Sequence, residues 1–191
     1  MRRTTAIAVA AAFIAGGLIG LLVYVATGLS NSERPVAAVA RPAWTEVQWP
    51  FAIDQWGRGK AYRCKAADCG VEVNVYVRAK IGFCNCTTGV ADDQELERVS
   101  DRELLGDKTV AQKPGREIKI AWMKGRSRVY TGLNYQPKGA TALAIAYNDR
   151  CDVIVATAVV LGKDSLIVEP AVLDFLNSKP VMSWAERTLG L

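Results

Sequence analysis

Cys64, Cys69, Cys84, Cys86 and Cys151 are the residues of this chain best suited to chemistry, and there is no histidine to work beside them. Without an imidazole, Ser-His-Asp and Cys-His nucleophile pairs are excluded, as are histidine metal sites and histidine pH switches. A general base would have to be a carboxylate, lysine, tyrosine or cysteine. Cys64 and Cys69 flank a short turn, close enough for their α-carbons to reach disulfide distance. Cys84 and Cys86 stand in Phe-Cys-Asn-Cys-Thr-Thr-Gly. A bond between those two would close a tight ring. A bond from either one to Cys151 would close a long loop and constrain the unfolded chain by about 3–4 kcal/mol in the chain-entropy model. With five cysteines, at least one thiol stays free or pairs outside the chain.

Three readings fit this set. In the first, two disulfides staple loops to a sheet, which suits an exported domain. In the second, the Cys-x-Cys at Cys84 and Cys86 is a readily reduced pair that exchanges with a client. No neighbouring lysine or helix start in the sequence marks either thiol as acidified. In the third, Cys64, Cys69, Cys84 and Cys86 bind one zinc or copper(I) ion, although C-x4-C followed by C-x-C is not the usual knuckle spacing. The first is the reading adopted, with no catalytic residue, cofactor or resident metal assigned.

Other charged groups give weaker patterns. Arg116, Lys119, Lys124, Arg126 and Arg128 gather around Trp122 and Tyr130. Of these, Lys119, Lys124, Arg126 and Arg128 are candidates for docking an acidic partner or anionic lipid headgroups. A solvated strand face with a charged turn is the preferred explanation of them, since such charges are common at hairpin tips and also discourage edge pairing. Asp92, Asp93 and Glu95 lack EF-hand spacing and suit the positive end of a helix. Gly57 and Gly59 lack the context of a phosphate loop and read as a turn. The net charge of +5 is too modest to argue for nucleic acid as a partner.

The compartment depends on the first residues. Arg2 and Arg3 precede a charge-free stretch from Thr4 to Ser32. Its apolar core is long enough to cross a bilayer, which takes roughly 20 residues, and it has no polar face. Residues 1–29 are therefore expected to be a single transmembrane anchor. Two leading arginines favour a cytoplasmic N-terminus and an exported, periplasmic C-terminal part, as in a protein of a bacterial inner membrane. The alternative is a signal peptide cut near Ala26-Thr27-Gly28, Ala38-Val39-Ala40 lying rather far downstream, with secretion to the same compartment. Gly16 and Gly20, extended by Ala8 and Ala12, form a small-residue stripe that would allow self-association. Residues 30–44, with two prolines and small side chains, read as a linker. Trp44 and Trp49 suit either a membrane interface or the core of a first strand.

Residues 45–191 are expected to form one α+β domain. Val71 to Ile81 alternates apolar and polar residues, the pattern of a strand with one buried and one wet face. Lys60–Cys64 pairs back on it. A surface helix runs from Asp92 to about Leu105, stopped by Gly106. Glu117–Met123 and Arg128–Tyr135 form a hairpin around Lys124–Ser127, and Thr141–Tyr147 and Cys151–Leu161 form another around Asn148–Arg150. Pro170 opens one helix and Pro180 a last one. The result is an antiparallel sheet with one covering layer of helices. This element order resembles the photosystem-P/Mog1-type sandwich, which implies an architecture and no activity. The reading as a whole is a membrane-tethered, disulfide-stapled binding or assembly accessory, with thiol-redox or cysteine-based metal handling at Cys84 and Cys86 as the alternative.

Overall fold

The computed structural model describes residues 42–106, 108–134, 139–161 and 165–191. The expected span with Gly16 and Gly20, and the linker as far as residue 41, lie outside them. Among the described residues no helix is long and apolar enough to cross a membrane.

The domain is α+β, a mostly antiparallel sheet with a few helices. Its strands are β1 (Trp44–Val47), β2 (Lys60–Cys64), β3 (Val73–Lys80), β4 (Val110–Ala111), β5 (Arg116–Ile120), β6 (Met123–Thr131), β7 (Thr141–Asp149) and β8 (Asp152–Val160). The helices are α1 (Ala66–Cys69), α2 (Asp93–Val99), α3 (Ser165–Leu176) and α4 (Lys179–Leu189), with a 3-10 turn at Arg102–Leu105. The strand order is β1-β2-β3-β8-β7-β6-β4, and β5 shares the β6 edge with β4. Central β8 is apolar on both faces, as a strand buried from both sides must be.

One face packs Val75, Ile145 and Ile154 against Val172, Leu176 and Val181 of α3 and α4. The other face is covered as well, which corrects the expectation of a single layer. Trp49 packs there on Tyr76, and Leu96 and Val99 of α2 pack on Val153 and Val155. The β3 alternation is real, but its polar face is dry, because Asn74, Tyr76, Arg78 and Lys80 are all buried. The helix after Asp92 is shorter than expected. It ends at Val99, where the Ser100 N–H closes on the Leu96 carbonyl. It lies on the surface as expected, with Leu96 and Val99 buried beneath it and Gln94 and Arg98 exposed.

Both tryptophans pack on the domain, Trp49 buried within it and Trp44 half-buried at its edge. Trp44 already lies in β1, and its ring stacks on Phe175 at 4.4 Å. Trp49 is buried and meets Phe51 and Tyr76 edge-on. Pro170 falls inside α3 rather than opening it, while Pro180 sits in the first turn of α4 as expected.

The β5–β6 hairpin turns earlier than expected. Ile120 pairs with Met123, so the loop is Ala121-Trp122 and Lys124–Ser127 are strand. Gly125 suggested a turn, yet here it serves close approach. A Cβ on it would collide with the Ala146 carbonyl oxygen and the Tyr147 backbone on β7. Likewise Asp149 pairs with Asp152, leaving Arg150-Cys151 as the loop of the next hairpin.

Candidate functional site

The structure bonds Cys64 to Cys69 and Cys86 to Cys151. The first pair is presented by the single turn of α1, which returns β2 into β3. The second pins the 83–91 loop to the β7–β8 turn. Beneath it Cys84 stays a free, buried thiol. Its N–H donates to the Cys151 carbonyl at 3.1 Å, and its Sγ lies 3.3 Å from the Arg150 carbonyl oxygen. Burial, then the nearby Glu95 and Asp152 carboxylates, push this thiol up to about 11. At neutral pH it is a protonated, poor nucleophile. The four sulfurs of the metal reading are not gathered, because Cys64 and Cys69 bond each other and Cys86 bonds Cys151.

The basic residues of β5 and β6 divide into two groups. Arg126 binds the Asp93 carboxylate, and Arg128 Nη1 lies 2.8 Å from Glu97 Oε1. These pairs hold α2 over the sheet. Asp93 also accepts from the Gly115 N–H. Partial desolvation of Asp93 is outweighed by that bond and by the two arginines, so its carboxyl stays below the usual carboxylate range. Lys119 and Lys124 behave differently. They lie directly across from each other in the β5–β6 register and are both exposed. Among the described residues, no carboxylate pairs with either.

This lysine pair lines a cleft of about 550 Å³ between the β5–β7 end of the sheet and the loop Thr88, Val90 and Ala91. Asn148 of β7 fixes that wall. Its Oδ1 accepts from the Val90 N–H at 3.0 Å, and its Nδ2 donates to the Arg150 carbonyl at 2.9 Å. Gly89 has φ +62° and passes so close to the Asn148 amide that a Cβ would collide with it. A second hollow of about 290 Å³ adjoins across Lys124, lined by Cys86, Thr87, Trp122 and Arg150 among others. The Cys86–Cys151 bond and the lysine pair, far apart in sequence, therefore meet at one end of the sheet.

A separate cluster lies on the polar face of β3, where the alternation suggested solvent. Arg78 makes a bidentate pair with Asp101 at 2.6 and 2.7 Å and a second with Asp54 at 2.8 and 2.7 Å. Lys80 Nζ reaches Asp101 Oδ1 and the Val99 carbonyl, each at 2.7 Å. The Trp49 ring lies 5.9 Å from the Arg78 guanidinium, and the Trp56 ring 5.6 Å from Lys80 Nζ. Desolvation of Asp54 is outweighed by Arg78 and the Trp56 N–H, which hold its carboxyl below the usual range. Comparison with family models, curated proteins and solved structures gives no match for this chain. The cluster is internally paired, and its chemistry is that of a clamp joining β3, the 49–57 loop and the end of α2. The sequence signal for it was a pair of cations two residues apart on one strand face.

Proposed function

We propose that this chain is a single-span, membrane-tethered protein whose stapled domain stands on the oxidising side and acts by binding or assembly. The observation that carries the reading is the use of its cysteines, four of which form two disulfides in a domain that follows a long apolar stretch. Such bonds persist where glutathione and thioredoxin do not reduce them. The binding role is supported by the way the buried charged groups are committed. Arg78 is tied to Asp101 and Asp54, and Glu169 accepts from Ser127 and pairs with Arg116. An exposed lysine pair at a cleft remains available for a partner.

Reporter fusions after residue 191 test the placement. An alkaline phosphatase fusion is expected to be active and a cytoplasmic reporter silent. Mass spectrometry of the unreduced chain is expected to find Cys64–Cys69 and Cys86–Cys151 peptides, and Met1 retained if the anchor is not cut. A fusion active only in the cytoplasm, or fully reduced cysteines in freshly isolated membranes, would overturn the reading.

A further inference from the structure

We infer that the Lys119–Lys124 cleft receives an acidic, extended segment of a partner polypeptide laid along the free edge of β5. This rests on the proposed binding role and names its site and partner chemistry. Three observations carry it. First, like charges directly across an antiparallel pair are unfavourable. Arg116, Arg126 and Arg128 on the same two strands all find carboxylates, whereas these two lysines have none among the described residues. A ligand carboxylate between them removes the repulsion; Glu117, the one carboxylate lining the cleft, stands across from Arg126 rather than from either lysine. Second, the cleft is built in advance, its wall held by the Asn148 amide and by the Cys86–Cys151 bond. A site ordered before binding loses less freedom on binding. Third, β5 pairs only with β6 among the described residues, so its outer edge offers backbone donors and acceptors to an added strand. An added strand puts alternate side chains on the cleft face, one of them beside Lys119.

The lysines line a walled cleft, which favours a polypeptide over lipid headgroups, since a flat bilayer surface would not fill it.

The test is titration calorimetry on the full-length chain in detergent micelles, with an end-capped Glu-Val repeat peptide as the probe. Saturable binding is expected, weakening as salt rises and falling at least tenfold in Lys119→Glu/Lys124→Glu. Lys119→Gln/Lys124→Gln should lose several-fold, and Lys65→Glu at the other end of the sheet nothing. Unchanged thermal melts show that the variants fold. No saturable binding, or equal binding by the charge-reversed protein, overturns the inference. So does lysine-dependent binding to phosphatidylglycerol vesicles or inorganic phosphate in place of the peptide. Photocrosslinkers placed in turn at Trp122, Ile53 and Ile167 in native membranes separate the two levels of the claim. A discrete adduct at Trp122 that is lost in Lys119→Glu/Lys124→Glu supports both. One at Ile53 or Ile167 alone overturns the cleft and leaves the binding role standing, and none at any position overturns both.

Discussion

Asp101 is the residue on which the second face of the sheet depends. It is buried between two buried cations, Arg78 and Lys80. Removing it leaves Lys80 charged with no paired anion among the described residues and Arg78 with Asp54 alone. Breaking a buried ion pair in this way costs about 3–5 kcal/mol. Asp101→Ala is therefore expected to cut stability in urea by that much. Lys60→Ala, which breaks only the exposed pair with Glu46, should cost less than about 1 kcal/mol. Equal midpoints for the two variants would show that the cluster is not a clamp. Cys84 gives a second expectation at this scale. With its thiol near 11 and its side chain buried, native protein at pH 7.4 should resist iodoacetamide, and one thiol should appear on unfolding without reductant. Fast modification of the native protein would place Cys84 back among reactive thiols. The Cys64–Cys69 bond was open to sequence reasoning because a short turn brings the two α-carbons within reach, whereas the choice of Cys86 over Cys84 as the partner of Cys151 was not. The role of Arg78 and Lys80 was not, because alternation separates two faces and says nothing of what covers the second.

At the scale of elements, the most informative misreading is the β5–β6 turn. Charged residues around a glycine suggested that Lys124–Ser127 was the loop, whereas the chain turns at Ala121-Trp122. Ala121 takes φ +51°, a place where two-residue hairpins prefer glycine. Its N–H is held by Asn177 Oδ1 at 3.0 Å, so the end of α3 fixes the turn. That tertiary bond overrides local turn chemistry, and nothing in the 120–123 stretch could announce it. Ala121→Gly should therefore stabilise the domain by roughly 1 kcal/mol, by relieving a left-handed alanine. Gly125→Ala should destabilise it by about 1–3 kcal/mol as β6 is pushed from β7. Guanidinium melts of the two variants check the assignment, and the opposite order would return the turn to Lys124–Ser127. The central strands were legible because period-two and all-apolar runs reflect burial directly. The extent of α2 was not, because the Val99 carbonyl and Asp101 are tied to Lys80 and Arg78 of β3 where it ends.

Across the whole molecule, the two faces of the sheet are held by different forces, and acid should separate them. The α3–α4 face is an apolar core of valine, isoleucine and leucine. The other face depends on Asp54 gripping Arg78 and on Asp93 gripping Arg126, with smaller apolar patches between them. Both carboxyls titrate below their ordinary value when folded. A carboxyl depressed in the folded state contributes its stability in full above the unfolded pKa, which is ~3.9 for aspartate. That contribution is lost as pH falls through the folded value, because the unfolded chain then binds the proton more readily. Stability should therefore be flat from neutrality to about pH 5 and fall below about pH 4. Both groups are partly exposed, so salt should soften the fall. Hydrogen exchange is expected to show where it begins. Amides of α2 and of the 52–57 loop should lose protection first, while β7 and β8, buried between both layers, hold theirs. Asp54→Asn/Asp93→Asn should lower the neutral plateau and flatten much of the acid limb, leaving the part carried by Glu95, which Arg98 and the Asn85 N–H also hold below its ordinary value. If β7 and β8 exchange together with α2 at every pH, the domain has one cooperative core, and the ion pairs are not what keeps its second layer in place.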